Sequence, residues 1–322
     1  MTFAQLRSFA TVARLGSVRA AAAELAVSEP AVSSAIAVLR KDFADDLLVR
    51  SGGSLQLTPG GQRLAAAASE ILGLADEARR SVGAARGEAR VLRVAATSDV
   101  AEYALPTLVE AFTRRIRHTE VSVLVEPADA FPALLANRMA DVALGPRPDA
   151  EPALGIQSSP FLRYRLVVVA GSRHPLARRR ALPPAALAGE RWLVGPSGTG
   201  AGTAVGGFFA SHRLEPDEVR AFPTHSAAVM GAEAGRGVTL AVAHTVMDEL
   251  RRGTLVRLDV RSTPLDELWH ATTLGPERRP ELADALRRFI TTPEATHALL
   301  ARSSDVPAGR FRPPVYTTLW HS

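Results

Sequence analysis

Residues 17–43 read SVRAAAAELAVSEPAVSSAIAVLRKDF. The stretch reads as two short helices joined by a tight turn. Ser17 follows Gly16 and is placed to cap the first helix, an alanine-rich run ending near Leu25. Ser28 is placed to cap the second. Pro30 sits just inside its start, where a missing N–H costs little. Val32, Ile36, Leu39 and Phe43 then recur at spacings of 4, 3 and 4, which makes one apolar stripe. The opposite face carries Glu29, Ser33, Ser34, Ala37, Arg40 and Lys41. A face of small polar residues suits close entry into the major groove of DNA. A helical hairpin without DNA contact has the same outline, so the flanking residues must discriminate.

They do so by resemblance. LRSFATVARLGSVRAAAAELAVSEPAVSSAI, followed by LLVRSGGSLQLTPGGQRL, resembles the DNA-binding domain of LysR-type transcriptional regulators. That family has a leucine and phenylalanine in its first helix and Gly-Ser before its second. Its recognition helix begins Ser-Gln-Pro-Ala-Val-Ser, and an arginine, a short wing and Leu-Thr-x-Ala-Gly follow. Three positions depart from the pattern. Glu29 stands where glutamine is usual, Phe43-Ala44-Asp45-Asp46 replaces a Leu-Gly turn, and Gly60 replaces the alanine before Gly61. The resemblance extends to about residue 300. It implies double-stranded promoter DNA as one partner, with Ser28, Glu29, Pro30, Ser33, Ser34, Arg40 and Arg50 as DNA-binding residues.

Leu47–Arg50 and Leu55–Thr58 flank Ser51-Gly52-Gly53-Ser54, which reads as a hairpin. In a winged helix–turn–helix such a hairpin lies beside the duplex, and Arg50 could reach a phosphate or the minor groove; a solvated arginine is the alternative. Thr58 and Pro59 then open a helix running to about Arg86. Leu64, Ala68, Ile71, Ala75, Ala78 and Val82 are spaced 4, 3, 4, 3 and 4, a heptad seam. The helix spans about 40 Å at 1.5 Å per residue. Packing on its own domain is one use of the seam. A second subunit is the better one, because little neighbouring chain is at hand, and the family dimerises through this linker. A homodimer or homotetramer is expected, with RNA polymerase as a further candidate partner.

From Val91 the pattern alternates between strands and helices, an α/β region expected to have mostly parallel strands. It resembles the LysR effector domain, itself similar to periplasmic binding proteins, with a small-molecule effector held between two lobes. Thr97-Ser98-Asp99 follows one strand, and the loop Pro196–Gly202 follows another. Such loops, at strand ends and helix starts, favour a carboxylate or phosphate. Thr97, Ser98, Asp99, Gly145, Thr199 and Ser226 are the expected effector-binding residues. Asp99 would repel an anion; it either caps the next helix or points to an effector bearing an amine or hydroxyls.

The chain holds 322 residues, no cysteine, and Lys41 as its single lysine, at a net charge of +5. Two or three domains are expected, without disulfides or thiolate zinc sites. No apolar run nears the roughly 18 residues of a membrane span, and a cytoplasmic location is expected. Residues 1–63 carry seven basic and five acidic side chains, too even a balance to reveal DNA binding alone. There is no Gly-x-Ser-x-Gly elbow, no Walker lysine and no histidine pair at metal-ligand spacing. GTGAGT at 198–203 lacks the third glycine of a dinucleotide loop. Neither catalysis nor a cofactor is expected. The competing reading is a small-molecule binding protein with no gene-regulatory DNA contact.

The expected architecture is an α+β multidomain chain. Residues 1–58 form a winged helix–turn–helix, 59–88 a linker and dimerisation helix, and 89–301 a two-lobed α/β effector domain. Lobe I takes about 91–163 and 268–301, lobe II about 164–267. The chain crosses between lobes near Leu162–Arg165 and Leu265–His270. Residues 302–322 form a tail whose Phe311, Tyr316 and Trp320 leave docking and disorder both open.

Overall fold

The computed structural model describes residues 1–51, 54–149, 155–200 and 202–300. The Gly52-Gly53 turn and the C-terminal tail lie outside the described residues. The chain divides into two compact units, residues 1–90 with 133–139, and residues 91–132 with 140–322.

The first unit begins with three helices, α1 (Phe3–Leu15), α2 (Val18–Leu25) and α3 (Glu29–Phe43). Each starts on a hydroxyl. Thr2, Ser17 and Ser28 accept from the backbone N–H of Gln5, Ala20 and Ala31, satisfying donors that a helix start leaves open. Gly16 ends α1 in the left-handed conformation. Helices α2 and α3 are bent by 111° at their break, within the range of a helix–turn–helix. Val32, Ile36 and Leu39 of α3 pack with Leu6, Phe9 and Val12 of α1. Phe43, the fourth member of the expected stripe, is 46% exposed, since it falls at the last turn, past the reach of the core. Strands β1 (Leu48–Ser51) and β2 (Ser54–Leu57) pair antiparallel, Arg50 opposite Leu55.

Helix α4 (Pro59–Ala85) is capped by Thr58. Its first half is not a free seam. Leu64 and Ala68 are buried in the core of the first unit, beside α1, so these two expected dimerisation residues serve intramolecular packing. The helix does have neighbouring chain to pack on. Downstream, the exposed large apolar positions are Ile71, Leu74 and Val82, with exposed Ala78 between the last two; Ala75 is half-buried.

The second unit is built on a nine-stranded sheet. Its path is β4 (Thr119–Val125), β3 (Arg90–Ala96), β5 (Val142–Gly145), β11 (Leu265–Leu274), β6 (Ile156–Gly171), β9 (Val238–Val242), β7 (Arg191–Val194), β8 (Glu218–Ala221), with β10 (Leu255–Arg257) also on β6. Pairings β3–β5, β7–β8 and β7–β9 are parallel, but β11 runs antiparallel to both β5 and β6, and β6 antiparallel to β9. The sheet is therefore mixed, where mostly parallel strands were expected. Two long strands run the return paths between the halves. Strand β6 pairs with β11 along 156–166 and with β9 along 166–170, and β11 shifts register between Trp269 and His270. These are the stretches expected to cross between lobes.

Around the sheet lie α5 (Ser98–Tyr103), α6 (Leu105–Arg115), α8 (Ala204–His212), α9 (His225–Glu233), α10 (Met247–Arg252), α11 (Glu281–Phe289) and α12 (Pro293–Leu300), while α7 (Phe131–Ala136) is divided between the two units. Pro106 sits in the first turn of α6, where proline is accommodated, and α5 ends before it. No single helix among the described residues is long and apolar enough to cross a membrane.

Candidate DNA interface and effector cavity

On α3 the burial of Val32, Ile36 and Leu39 fixes which way the other face looks. Glu29, Pro30, Ser33, Ser34, Ala37 and Arg40 are all exposed, as is Ser28 at its cap. Ser28 Oγ accepts from Ala31 N, which orients its hydroxyl along the helix start. Arg40 differs from the rest. Its Nε donates to Asp46 O at 2.6 Å and an Nη donates to Leu48 O at 2.7 Å. Part of its fork is thus spent holding the entry to β1 against α3. Arg50, on β1, is exposed.

Asp45 and Gly60, two departures from the family pattern, meet in space. The Asp45 carboxylate accepts from Leu47 N at 2.6 Å and from the Thr58 hydroxyl at 2.7 Å. These bonds, the Thr58 one foremost, lower its pKa below the usual carboxylate value. A β-carbon at Gly60 would stand 2.0 Å from Asp45 Oδ2. The glycine makes room for a carboxylate that steadies the cap of α4. At Gly61 a β-carbon would lie 1.9 Å from the backbone oxygen of Leu47, so this position admits no side chain without moving the chain.

In the second unit a cavity of about 400 Å³ opens between the halves of the sheet, at strand ends and helix starts. Thr97, Ser98 and Asp99 line it. Gly145 lies behind the wall: a β-carbon there would press on Thr97 and Phe131 at 3.0 Å. Thr199 is exposed and outside the lining, because the glycine loop turns it away and brings Ser197, Gly198, Gly202 and Thr203 inward instead. Ser226 is outside the lining too. Its N–H donates to Glu102 Oε1 at 2.7 Å and its hydroxyl to the same oxygen. With His225 N donating to Glu102 Oε2 at 2.7 Å, the carboxylate seats on the N-terminus of α9, where negative charge is favoured.

Residues that sequence reasoning missed complete the cavity. His225 lines it, and its Nε2 is 3.0 Å from Ser98 Oγ, which is also 2.9 Å from Ser197 Oγ. Gly195 leaves room for that imidazole, since a β-carbon there would fall 2.4 Å from the ring. Tyr103 and Tyr164 contribute rings, and burial pushes both hydroxyls well above their usual pKa. Tyr164 stacks on buried Trp269 at 4.5 Å, and Trp269 Nε1 donates to Asp99 Oδ2 at 3.1 Å. Asp99 is thereby held in the wall; the cap position of α5 is Thr97, and Asp99 lies in the first turn. The only sequence signals were the Thr224 cap beside His225 and the apolar alternation of the strands.

Comparison with known proteins places these features. Residues 3–62 match the bacterial regulatory helix–turn–helix model of the lysR family, and residues 85–293 match the LysR substrate binding domain. An uncharacterised HTH-type transcriptional regulator of Mycobacterium tuberculosis is 38% identical over 99% of this chain and 100% of its own length. The HTH-type transcriptional regulator CfxR of Cupriavidus necator is 30% identical, covering 90% of this chain and 91% of that protein. The fold is shared with CbnR, solved in complex with its target DNA, at 22% identity and a TM-score of 0.58, over 92% of this chain and 99% of that one. With both domain models matched in order along one chain, the protein belongs to the LysR family and is a DNA-binding transcriptional regulator with an effector-binding domain.

Proposed function

We propose that the protein reads promoter DNA with the exposed face of α3 and responds to a small molecule bound in the cavity of the second unit. Glu29, Pro30, Ser33 and Ser34 are the base-facing residues in this reading, with Ser28 at the helix start and Arg50 on a phosphate. Arg40 acts mainly by fixing the wing to α3. A second copy pairs through the outer stripe of α4, so that two recognition helices meet two half-sites. RNA polymerase is the partner on which a bound regulator would act. The cavity binds its ligand without transforming it.

One observation carries the reading: a helix whose buried stripe leaves a row of small polar side chains facing outward, on the same chain as a cavity lined from both halves of a sheet. Binding selection with randomised duplexes tests it. The expected result is an enriched two-half-site sequence. Glu29→Gln should shift one base pair from C·G toward A·T, because a carboxylate accepts from cytosine N4 whereas a carboxamide pairs with adenine. The discrimination is about 1–3 kcal/mol. Selection of no sequence would instead support a small-molecule binding protein without regulatory DNA contact.

A further inference from the structure

Resting on the reading of the cavity as the effector site, we propose that its ligand is a small organic cation, an amine with an apolar body. The wall supplies two carboxylates, Asp99 and Glu267, and among the described lining residues no arginine or lysine. Asp99 has one oxygen engaged by the Trp269 indole. The Glu267 carboxylate has no hydrogen-bond or ion-pair partner among the described residues. It stands opposite Tyr164 across the β6–β11 pair, and both carboxylates act on the Tyr164 hydroxyl. The Glu267 side chain lines the cavity yet stays solvent-exposed, and partial desolvation raises its pKa.

Two of the helix starts beside the cavity, those of α8 and α9, already have side-chain acceptors. Glu102 already occupies the N-terminus of α9, and the Thr203 hydroxyl caps α8 at Gly206 N. An anionic ligand would bring a third negative charge into a cavity whose described lining holds no arginine or lysine. A cation would neutralise the unpartnered Glu267. The rings of Tyr103, Tyr164 and Phe208 on the same wall suit an apolar body and can face a cation. The buried Thr97 hydroxyl, with no partner among the described residues, lies on that wall too. This reverses the preference for carboxylate or phosphate read from the strand-end loops, and it follows the hint given by Asp99.

The cysteine-free chain makes the sign of the cavity measurable. Val205 is half-buried on the wall, so Val205→Cys would place a single thiol there. Its modification rate by a trimethylammonium-ethyl methanethiosulfonate is compared with that by the sulfonatoethyl reagent, each normalised to free 2-mercaptoethanol. The ratio cancels the reactivity of the thiol itself. A cleft lined by one sign of charge should favour the cationic reagent by about tenfold or more. Adding Asp99→Asn and Glu267→Gln, with folding checked by circular dichroism, should return the ratio toward that of the free thiol. Thermal unfolding of the full chain should then show stabilisation by phenethylamine exceeding that by phenylacetate, with the excess lost in the double variant. A ratio at or below the free-thiol value overturns the proposal. So does phenylacetate stabilising as well as phenethylamine, or no stabilisation by the amine. None of these readouts uses DNA, so a failure to select an operator would end the regulatory reading and leave them standing.

Discussion

Asp45 and Gly60 are a pair whose meaning lies in their contact. Each looks like an isolated departure in sequence, and only the fold brings the carboxylate to the space a β-carbon at 60 would fill. Moving Asp45 aside would break its bonds to Leu47 N and the Thr58 hydroxyl. Gly60→Ala should therefore lower the melting temperature of the first unit, and Asp45→Ala on top of it should restore part of the loss. Simple additivity in a double-mutant cycle by calorimetry would rule out the coupling. A second residue-level expectation concerns His244. Burial lowers its pKa below 6.5, so the unfolded chain takes up this proton first as pH falls. Just below pH 6.5 the unfolded state then binds more protons, and stability drops as pH drops. Urea midpoints measured at pH 7 and about 5.5 should differ more in the wild type than in His244→Gln. Equal differences would mean that this imidazole is not the group responsible.

Whole elements were legible in the sequence where one physical rule acted locally. Hydroxyl caps and the stripe of Val32, Ile36 and Leu39 placed α2 and α3 to within a residue or so, because capping and periodicity depend on near neighbours. Strand direction was not legible. Long β6 and β11 are joined by 93 intervening residues (172–264), and nothing in an apolar run states which partner it will meet. The same limit hid half the candidate site. Tyr164 and Glu267 share a wall only through the register of that pairing, and Thr199 was turned outward by a loop whose path no motif encodes. Ser226 was read as a ligand group, whereas it belongs to the clasp formed by Glu102 on α9. That clasp gives an element-scale expectation. Glu102→Ala removes a charged acceptor from three donors and should cost about 1.5–3 kcal/mol, less where water substitutes. Glu102→Gln should cost less than alanine, as it keeps an acceptor and loses the charge favoured at a helix start. Thermal unfolding of the full chain reads both; equal losses would assign the effect to packing.

At the scale of the whole molecule, α4 has two different jobs along its length. Leu64, 9% exposed, is part of the core of the first unit, whereas Leu74 is 45% and Val82 55% exposed, and Ile71 lies on the same outer face. A heptad pattern alone merges these, because periodicity reports that a face is apolar and not what covers it. The structure separates them and makes the two halves testable against each other. Leu64→Ala should cost about 2–5 kcal/mol of stability, as truncation of a packed leucine does, in a monomer as well as in an assembly. Leu74→Asp should leave that stability nearly unchanged, since the side chain already meets solvent within one chain. Placed in an interface between two copies, however, the carboxylate would be buried without a partner. The assembly should then separate, with light scattering falling to the mass of a single chain. Operator affinity should fall by about 10²–10⁴, the advantage lost when two linked binding events become one. The loss should appear on duplexes with two half-sites and be nearly absent on a single half-site, which distinguishes it from damage to α3. A Leu74→Asp protein that keeps its assembled mass would move the interface to another surface.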